Sequence, residues 1–179
     1  MHADQIGRIT PDGHTSQFPL PVTGAFPSAI TAGPDDALWF TLNQANAVGR
    51  ISLTGEVTIH PLPTAQAGPV GITRGTDDAL WFVEIAAGQI GRITPDGRMR
   101  EYPLHDRACR PHAIAADLAR GVCWFTAWGT GRIGSITPDG HVEQYDLPAR
   151  DCEPHGLTVG PDGAVYVTLE IGEIARFEP

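Results

Sequence analysis

The sequence predicts an all-β fold, a β-propeller of four-stranded antiparallel blades. Three recurring signatures lead there. Ile6-Gly7-Arg8-Ile9-Thr10-Pro11-Asp12-Gly13 returns as Val48-Gly49-Arg50-Ile51, as Ile90-Gly91-Arg92-Ile93 and as Ile133-Gly134-Ser135-Ile136; a worn copy, Ile174-Ala175-Arg176-Phe177, comes near the end. Trp39-Phe40, Trp81-Phe82 and Trp124-Phe125 keep the same spacing, with Tyr166-Val167 as the fourth member. Pro27-Ser28-Ala29-Ile30, Pro69-Val70-Gly71-Ile72, Pro111-His112-Ala113-Ile114 and Pro154-His155-Gly156-Leu157 form the third series. Three independent markers share one period of about 42 residues. Four short strands in a repeat of that length make a propeller blade.

Taken in order, the chain opens on a remnant at 1–20 that holds only the last two strands of a blade. Complete repeats follow at 27–64, 69–106 and 111–148, and a shorter one at 154–179, within one domain spanning 1–179. Strands are lettered A to D from the central channel outward. A starts at Pro-x-x-Ile, B carries Trp-Phe, C is Ile-Gly-Arg-Ile, and D is the Tyr-Pro-Leu type of run. In the second repeat these are 71–74, 79–84, 89–94 and 98–104, runs rich in Ile, Val, Trp, Phe and Tyr between turn residues. Pro95-Asp96-Gly97 is turn chemistry, because Pro presets its own backbone angle and Gly supplies the left-handed position. No segment keeps a helical period. The strand count runs C-D, then A-B-C-D three times, then A-B-C. That is one strand too many for a neatly closed four-bladed ring. It predicts either a truncated propeller or a four-bladed ring with a displaced N-terminal strand.

Composition narrows the functional classes. With 179 residues the chain can bury a core without disulfides or a structural metal. Gly 21 and Pro 16 suit a fold with many tight turns. A net charge of −9 provides no basic face for nucleic acid or an anionic membrane. No apolar run is long enough for a membrane-spanning helix. Met1-His2-Ala3-Asp4-Gln5 lacks a basic segment followed by an apolar one, so no signal peptide is expected. Three cysteines with no CxxC pair suit a reducing, cytoplasmic setting.

Antiparallel order sorts the turns onto two rims. The regular Pro-Asp-Gly turns at Pro11, Pro95, Pro138 and Pro161 fall on one rim, which reads as structural. The irregular residues fall on the other, and individual loops on a rigid scaffold are where function sits. His112 and His155 occupy equivalent positions in neighbouring repeats, where the first two repeats have Ser28 and Val70. Glu153 lies two residues before His155, and Glu170 ends strand B of the same repeat. Glu84 and Trp128, near B–C connections, are candidates for lining a substrate pocket. His14 and His141 read as solvated on strand D, His60 and His105 flank outer strands, and His2 is terminal. The periodic Arg8, Arg50, Arg92 and Arg176 read as blade-to-blade ion pairs. Cys109 and Cys152 are repeat-equivalent and too far apart for a disulfide; both read as packing residues, and Cys123 as core.

The blade signatures, with Arg110-Pro111-His112-Ala113-Ile114 and Glu153-Pro154-His155-Gly156-Leu157, resemble the virginiamycin B lyase (streptogramin B lyase) family along essentially the whole chain. The resemblance implies part of a seven-bladed propeller, its C-terminal four blades with a remnant. It also implies linearisation of a small cyclic depsipeptide by elimination at its ester, without addition of water. By matching motifs, His155 is the general base and His112 the acid that assists the departing carboxylate. Glu153 and Glu170 hold Mg²⁺, a hard ion suited to oxygen ligands. Where the family pattern reads Trp-Phe-Thr-Glu, this chain has Trp124-Phe125-Thr126-Ala127. Blades missing from the arc would leave faces uncovered, and such faces favour self-association. Two alternatives stay open from the residues: a metal-dependent lactonase or esterase on the same scaffold, and a non-catalytic propeller that serves as a binding module.

Overall fold

A computed structural model of the chain describes residues 3–179; His2 lies outside them. The described residues are all-β apart from one short 3-10 turn, Trp128–Thr130. A hairpin, β1 (Gln5–Ile9) and β2 (Thr15–Pro19), comes first. Three complete blades follow. The first holds β3 (Pro27–Ala32), β4 (Ala37–Leu42), β5 (Ala47–Ser52) and β6 (Val57–Pro61). The second holds β7 (Pro69–Arg74), β8 (Leu80–Glu84), β9 (Gln89–Ile93) and β10 (Met99–Pro103). The third holds β11 (Pro111–Asp117), β12 (Val122–Ala127), β13 (Arg132–Ile136) and β14 (Val142–Asp146). The last sheet has three strands, β15 (Pro154–Val159), β16 (Val165–Leu169) and β17 (Glu173–Phe177). Every neighbouring pair is antiparallel, and each blade is a meander in chain order. The β1–β2 hairpin remains a two-stranded sheet separate from β15–β17, so the spare strand does not complete the last blade.

The inner strands pack in succession, β3 on β7, β7 on β11 and β11 on β15. The cores lie between blades rather than within them. Trp39 packs on Ile72 and Phe82 of the next blade, and Trp81 on Ile114 and Phe125 of the one after. Alternation explains this: along strand B the Trp points to one neighbouring blade and the Phe to the other. A strand-D ring completes the layer in the first two complete blades, where His60 and Tyr102 stack on Trp39 and Trp81, each at 5.4 Å. Burial pushes the Cys109 thiol up to about 11 and the Cys123 thiol up to about 12. All three cysteines are free and buried, as packing residues should be.

The periodic arginines correct one expectation. Arg50, Arg92 and Arg176 pair with a carboxylate of their own blades, not between blades. Asp35 accepts from Trp39 Nε1 at 2.9 Å and from Arg50 Nε at 2.6 Å, and Asp77 does the same for Trp81 and Arg92. The A–B turn thus places its carboxylate over strand C of the same sheet. In the third blade Ser135 stands where the arginine should be. There Asp117 holds Trp124 Nε1, and the cation comes from Arg120 in the turn. The carboxylate is retained because the buried indole N–H needs an acceptor.

Candidate active site

Each inner strand breaks register just after its first proline, between Pro27 and Ile30, Pro69 and Ile72, Pro111 and Ile114, and Pro154 and Leu157. His112 and His155 sit inside two of these bulges. A bulge re-aims side chains, and here both imidazoles line one cavity. The residue before each proline has a left-handed backbone: Phe26, Gly68, Arg110 and Glu153 have φ of 54°, 64°, 49° and 47°. Glu153 therefore occupies a conformation that disfavours side chains, in a position every blade uses.

Threonines clamp these bulges. Thr126 Oγ1 accepts from the Ala113 N–H at 2.9 Å and donates to the His155 carbonyl at 3.0 Å in the next blade. Thr41 does the same between the Ala29 N–H and the Val70 carbonyl. Thr168 accepts from the Gly156 N–H at 2.9 Å. Sequence reading passed over these residues, yet they recur two positions after Trp39, Trp124 and Tyr166. Thr126 links the two histidine bulges, because its hydroxyl bonds the residue after His112 and the backbone of His155.

The two imidazole rings lie 4.0 Å apart, tilted by 42°. They share a cavity of about 550 Å³ with Phe26, Val70, Ile72 and Ile114. Burial and the facing His155 hold the His112 pKa below the ordinary histidine value. Its Nδ1 is buried with no hydrogen-bond partner among the described residues. His155 is more open, its side chain 52% exposed, and its Nε2 lies 3.9 Å from Glu170 Oε1. Glu170 is anchored through its backbone N–H to the carbonyls of Cys152 and Glu153 at 3.1 and 3.3 Å. A hydrogen bond shared with Glu170, partial desolvation and the negative charges of Glu170 and Asp151 hold the Glu153 carboxyl above its ordinary range. Two carboxyl groups held this close suit a divalent cation, which would take the place of their shared proton. Among the described residues no group of three or more His, Cys, Asp or Glu could hold a metal. Two carboxylates with water fit Mg²⁺, which usually keeps several waters; they do not fit a caged ion such as structural zinc.

The two pocket-lining candidates are placed elsewhere. Glu84 is fully buried and does not face the cleft. It ends β8 where the other blades have Leu42, Ala127 and Leu169, all buried. Its Oε2 accepts from Gln89 Nε2 at 2.6 Å, and its Oε1 has no hydrogen-bond partner among the described residues. Trp128 lies on the 3-10 turn and lines an adjoining cavity of about 490 Å³ with Ile85, Ala86, Arg107 and Arg110, separate from the histidine cavity. The Arg110 guanidinium sits 5.5 Å above its ring. No helix among the described residues is long and apolar enough to cross a membrane.

Comparison with known proteins agrees with this architecture. The virginiamycin B lyase family model matches residues 1–177. Virginiamycin B lyase from Staphylococcus aureus superposes with a TM-score of 0.94 at 45% identity, covering 98% of this chain and 59% of that one. A streptogramin B lyase structure gives 0.92 at 47% identity with the same coverages. A catalytically inactive histidine-to-alanine variant of the Staphylococcus aureus enzyme, with quinupristin, gives 0.92 at 45% identity and covers 97% of this chain and 58% of that one. The chain thus spans 59% of the length of the lyases it matches. No curated protein gives a match. A putative gluconolactonase at 17% identity and a TM-score of 0.65 shares the fold alone. With the family pattern running through residues 1–177 and the same repeat fold beneath it, the chain belongs to the virginiamycin B lyase family.

Proposed function

We propose that this chain carries the proton-transfer side of a streptogramin B lyase site, opening a cyclic depsipeptide at its ester by elimination. The observation that supports it most is the pair of imidazoles at 4.0 Å in one cavity, with the Glu153–Glu170 pair beside His155. His155 is the half-open member and acts as the base that takes the α-proton of the residue bearing the ester oxygen. That proton is weakly acidic, and Mg²⁺ held by Glu153 and Glu170 would polarise the adjacent carbonyl. Loss of the proton and cleavage of the β-carbon–oxygen bond leave an alkene and a free carboxylate. A carboxylate needs no proton to depart at neutral pH. His112, kept neutral by burial and by His155, therefore assists it with an N–H hydrogen bond rather than a full proton. Thr126 holds the backbone of His155 in place during the transfer. The relative whose histidine-to-alanine variant is catalytically inactive, in a structure with quinupristin, supports both the histidine chemistry and the substrate class. A reducing cytoplasmic setting suits the three free cysteines.

The test is to incubate the folded chain with a type B streptogramin and Mg²⁺ and weigh the product. A ring-opened product of unchanged mass is expected, and His155→Ala should abolish it without loss of structure. A product one water heavier would mean hydrolysis and overturn elimination. No turnover by folded chain would overturn the activity for this length of polypeptide.

A further inference from the structure

Neighbouring blades hold side chains of opposite character in one backbone cradle. In the three complete blades and the last sheet, the residue just beyond strand B donates its N–H to the carbonyl of the residue before the inner-strand proline. Asn43 meets Phe26 at 3.1 Å, Ile85 meets Gly68 at 3.2 Å, Trp128 meets Arg110 at 3.2 Å and Glu170 meets Glu153 at 3.3 Å. The last sheet fills this cradle with two carboxyl groups that share a hydrogen bond. The third blade fills it with Arg110 and Trp128, the guanidinium 5.5 Å above the ring. Arg110 precedes His112 in the chain as Glu153 precedes His155. The first two complete blades place no charge there. A second guanidinium joins the same cavity of about 490 Å³, that of Arg107. Its Nη2 donates to Gln89 Oε1 at 2.9 Å, and the buried Gln89 donates in turn to Glu84. Arg50, Arg92, Arg120, Arg132 and Arg176 each make an ion pair; Arg107 and Arg110 make none among the described residues. Asp106, beside Arg107 in sequence, accepts from the Ala108 N–H at 2.9 Å. Both arginines are exposed, and the rest of the wall, Ile85, Ala86 and Ala108, is apolar. Every lining residue belongs to the second or third blade or to their connection, and both blades are complete.

We infer that this cavity is a carboxylate site, in which Arg110 and Arg107 take the oxygens of a carboxylate whose apolar substituent lies against Trp128, Ile85 and Ala86. A guanidinium is a planar fork of donors that matches a carboxylate. Stacking on Trp128 holds the Arg110 fork and Gln89 holds that of Arg107, so little ordering remains to be done on binding. Phosphate would answer the charge but leave the apolar wall uncovered, and such pockets gain affinity from apolar contact with a few placed polar groups. The carboxylate has two chemical sources: a free aryl or alkyl acid, or the acid end that ring opening of an ester creates. The site rests on the donors of the cavity and not on the proposed elimination.

Phenylacetate titrated into the full, isotope-labelled chain at constant ionic strength tests it, read by NMR at the indole N–H signals. The chain has Trp 4, and the signal lost in Trp128→Phe identifies the reporter. That signal should move saturably, with a Kd on the order of millimolar for so small a ligand. Phenylacetamide, which keeps the shape without the charge, and inorganic phosphate, which keeps charge without the apolar part, should each bind roughly tenfold more weakly or less. Arg110→Gln should weaken phenylacetate roughly tenfold and Arg107→Gln several-fold. Arg150→Gln, the repeat equivalent of Arg107 in the next connection, should leave binding unchanged, and melting curves check that each variant is folded. The two sources separate in the His155→Ala chain, titrated with a type B streptogramin and with its ring-opened acid. Tighter binding of the opened form, lost in Arg110→Gln, assigns the site to that acid end; equal binding of ring and opened form assigns it to free acids. Absence of a saturable shift at Trp128 overturns the site. Binding of the amide or of phosphate as tight as that of phenylacetate, or binding indifferent to both arginine variants, overturns it equally.

Discussion

Glu84→Gln should stabilise the protein above neutral pH and leave it unchanged in mild acid. Glu84 is a fully buried carboxyl at a position the other blades fill with Leu or Ala. Burial carries its pKa from 4.5 to about 7; the Gln89 amide opposes the rise, Glu101 adds to it, and Arg107 opposes it. At about 1.4 kcal/mol per pH unit, the ionised form is disfavoured in the fold by roughly 3 kcal/mol. The sign follows from proton counting. Between pH 4.5 and about 7 the folded chain keeps a proton that the unfolded chain has lost. Stability therefore falls as pH rises through that window and levels off above it. Gln at this site retains an acceptor for Gln89 and never ionises. The variant should match the parent near pH 5 and exceed it near pH 8 by about 1–3 kcal/mol, the range allowing for imperfect amide packing. At about 2–4 °C per kcal/mol for a chain of this size, the pH 8 melting point should rise by roughly 2–12 °C. Thermal or urea unfolding of both proteins at the two pH values measures it, and titration of all other groups cancels in the difference. A variant equally or less stable at pH 8, or a difference that does not change with pH, refutes the reasoning.

Three further outcomes follow from the packing. Gly91→Ala places a Cβ 2.1 Å from the Phe82 ring and 2.8 Å from Glu84 Oε1, so it should cost about 1–3 kcal/mol or more in chemical denaturation; Gly7→Ala should be near neutral. Asp117→Ala strips acceptors from Arg120, from Trp124 Nε1 and from the backbone N–H groups of Ala119 and Arg120, and should lose about 1–3 kcal/mol, chiefly from the buried indole N–H left without an acceptor. The equivalent change at the more exposed Asp162 should cost much less. Thr126→Val keeps the shape, as Val83 does in the second blade, but frees the Ala113 N–H and the His155 carbonyl. It should cost roughly 1–3 kcal/mol in unfolding experiments. If His155 is the base, the same change should lower kcat more than it raises KM, and Thr126→Ser should restore turnover.

The repeat was legible without coordinates because a blade is short and local. Trp39, Trp81 and Trp124 declare strand B, and Gly49, Gly91 and Gly134 declare strand C, at a spacing that one supersecondary unit imposes on its own sequence. His112 and His155 were legible for a related reason: they interrupt a position that Ser28 and Val70 show to be free of chemistry. What remained hidden depends on which neighbour a side chain faces. The arginines were expected between blades but fold back on Asp35, Asp77 and Asp162 of their own sheets, because the A–B turn overhangs strand C. Glu84 and Trp128 sit near the right connections in sequence, yet one turns into the sheet interior and the other into an adjoining cavity.

The sequence by itself determined the all-β repeat, the strand order, the rim that carries the histidines and the family, since all of these rest on periodic local patterns. Only the tertiary structure decided that a bulge and the Thr126 hydroxyl bring His112 and His155 to 4.0 Å, and that Trp39 packs on Phe82 of the next blade. The physical reason is common to both. Contacts between blades join residues some 42 positions apart, and the direction a side chain takes across that gap is set by bulges, pleat and packing rather than by its own neighbours in the chain.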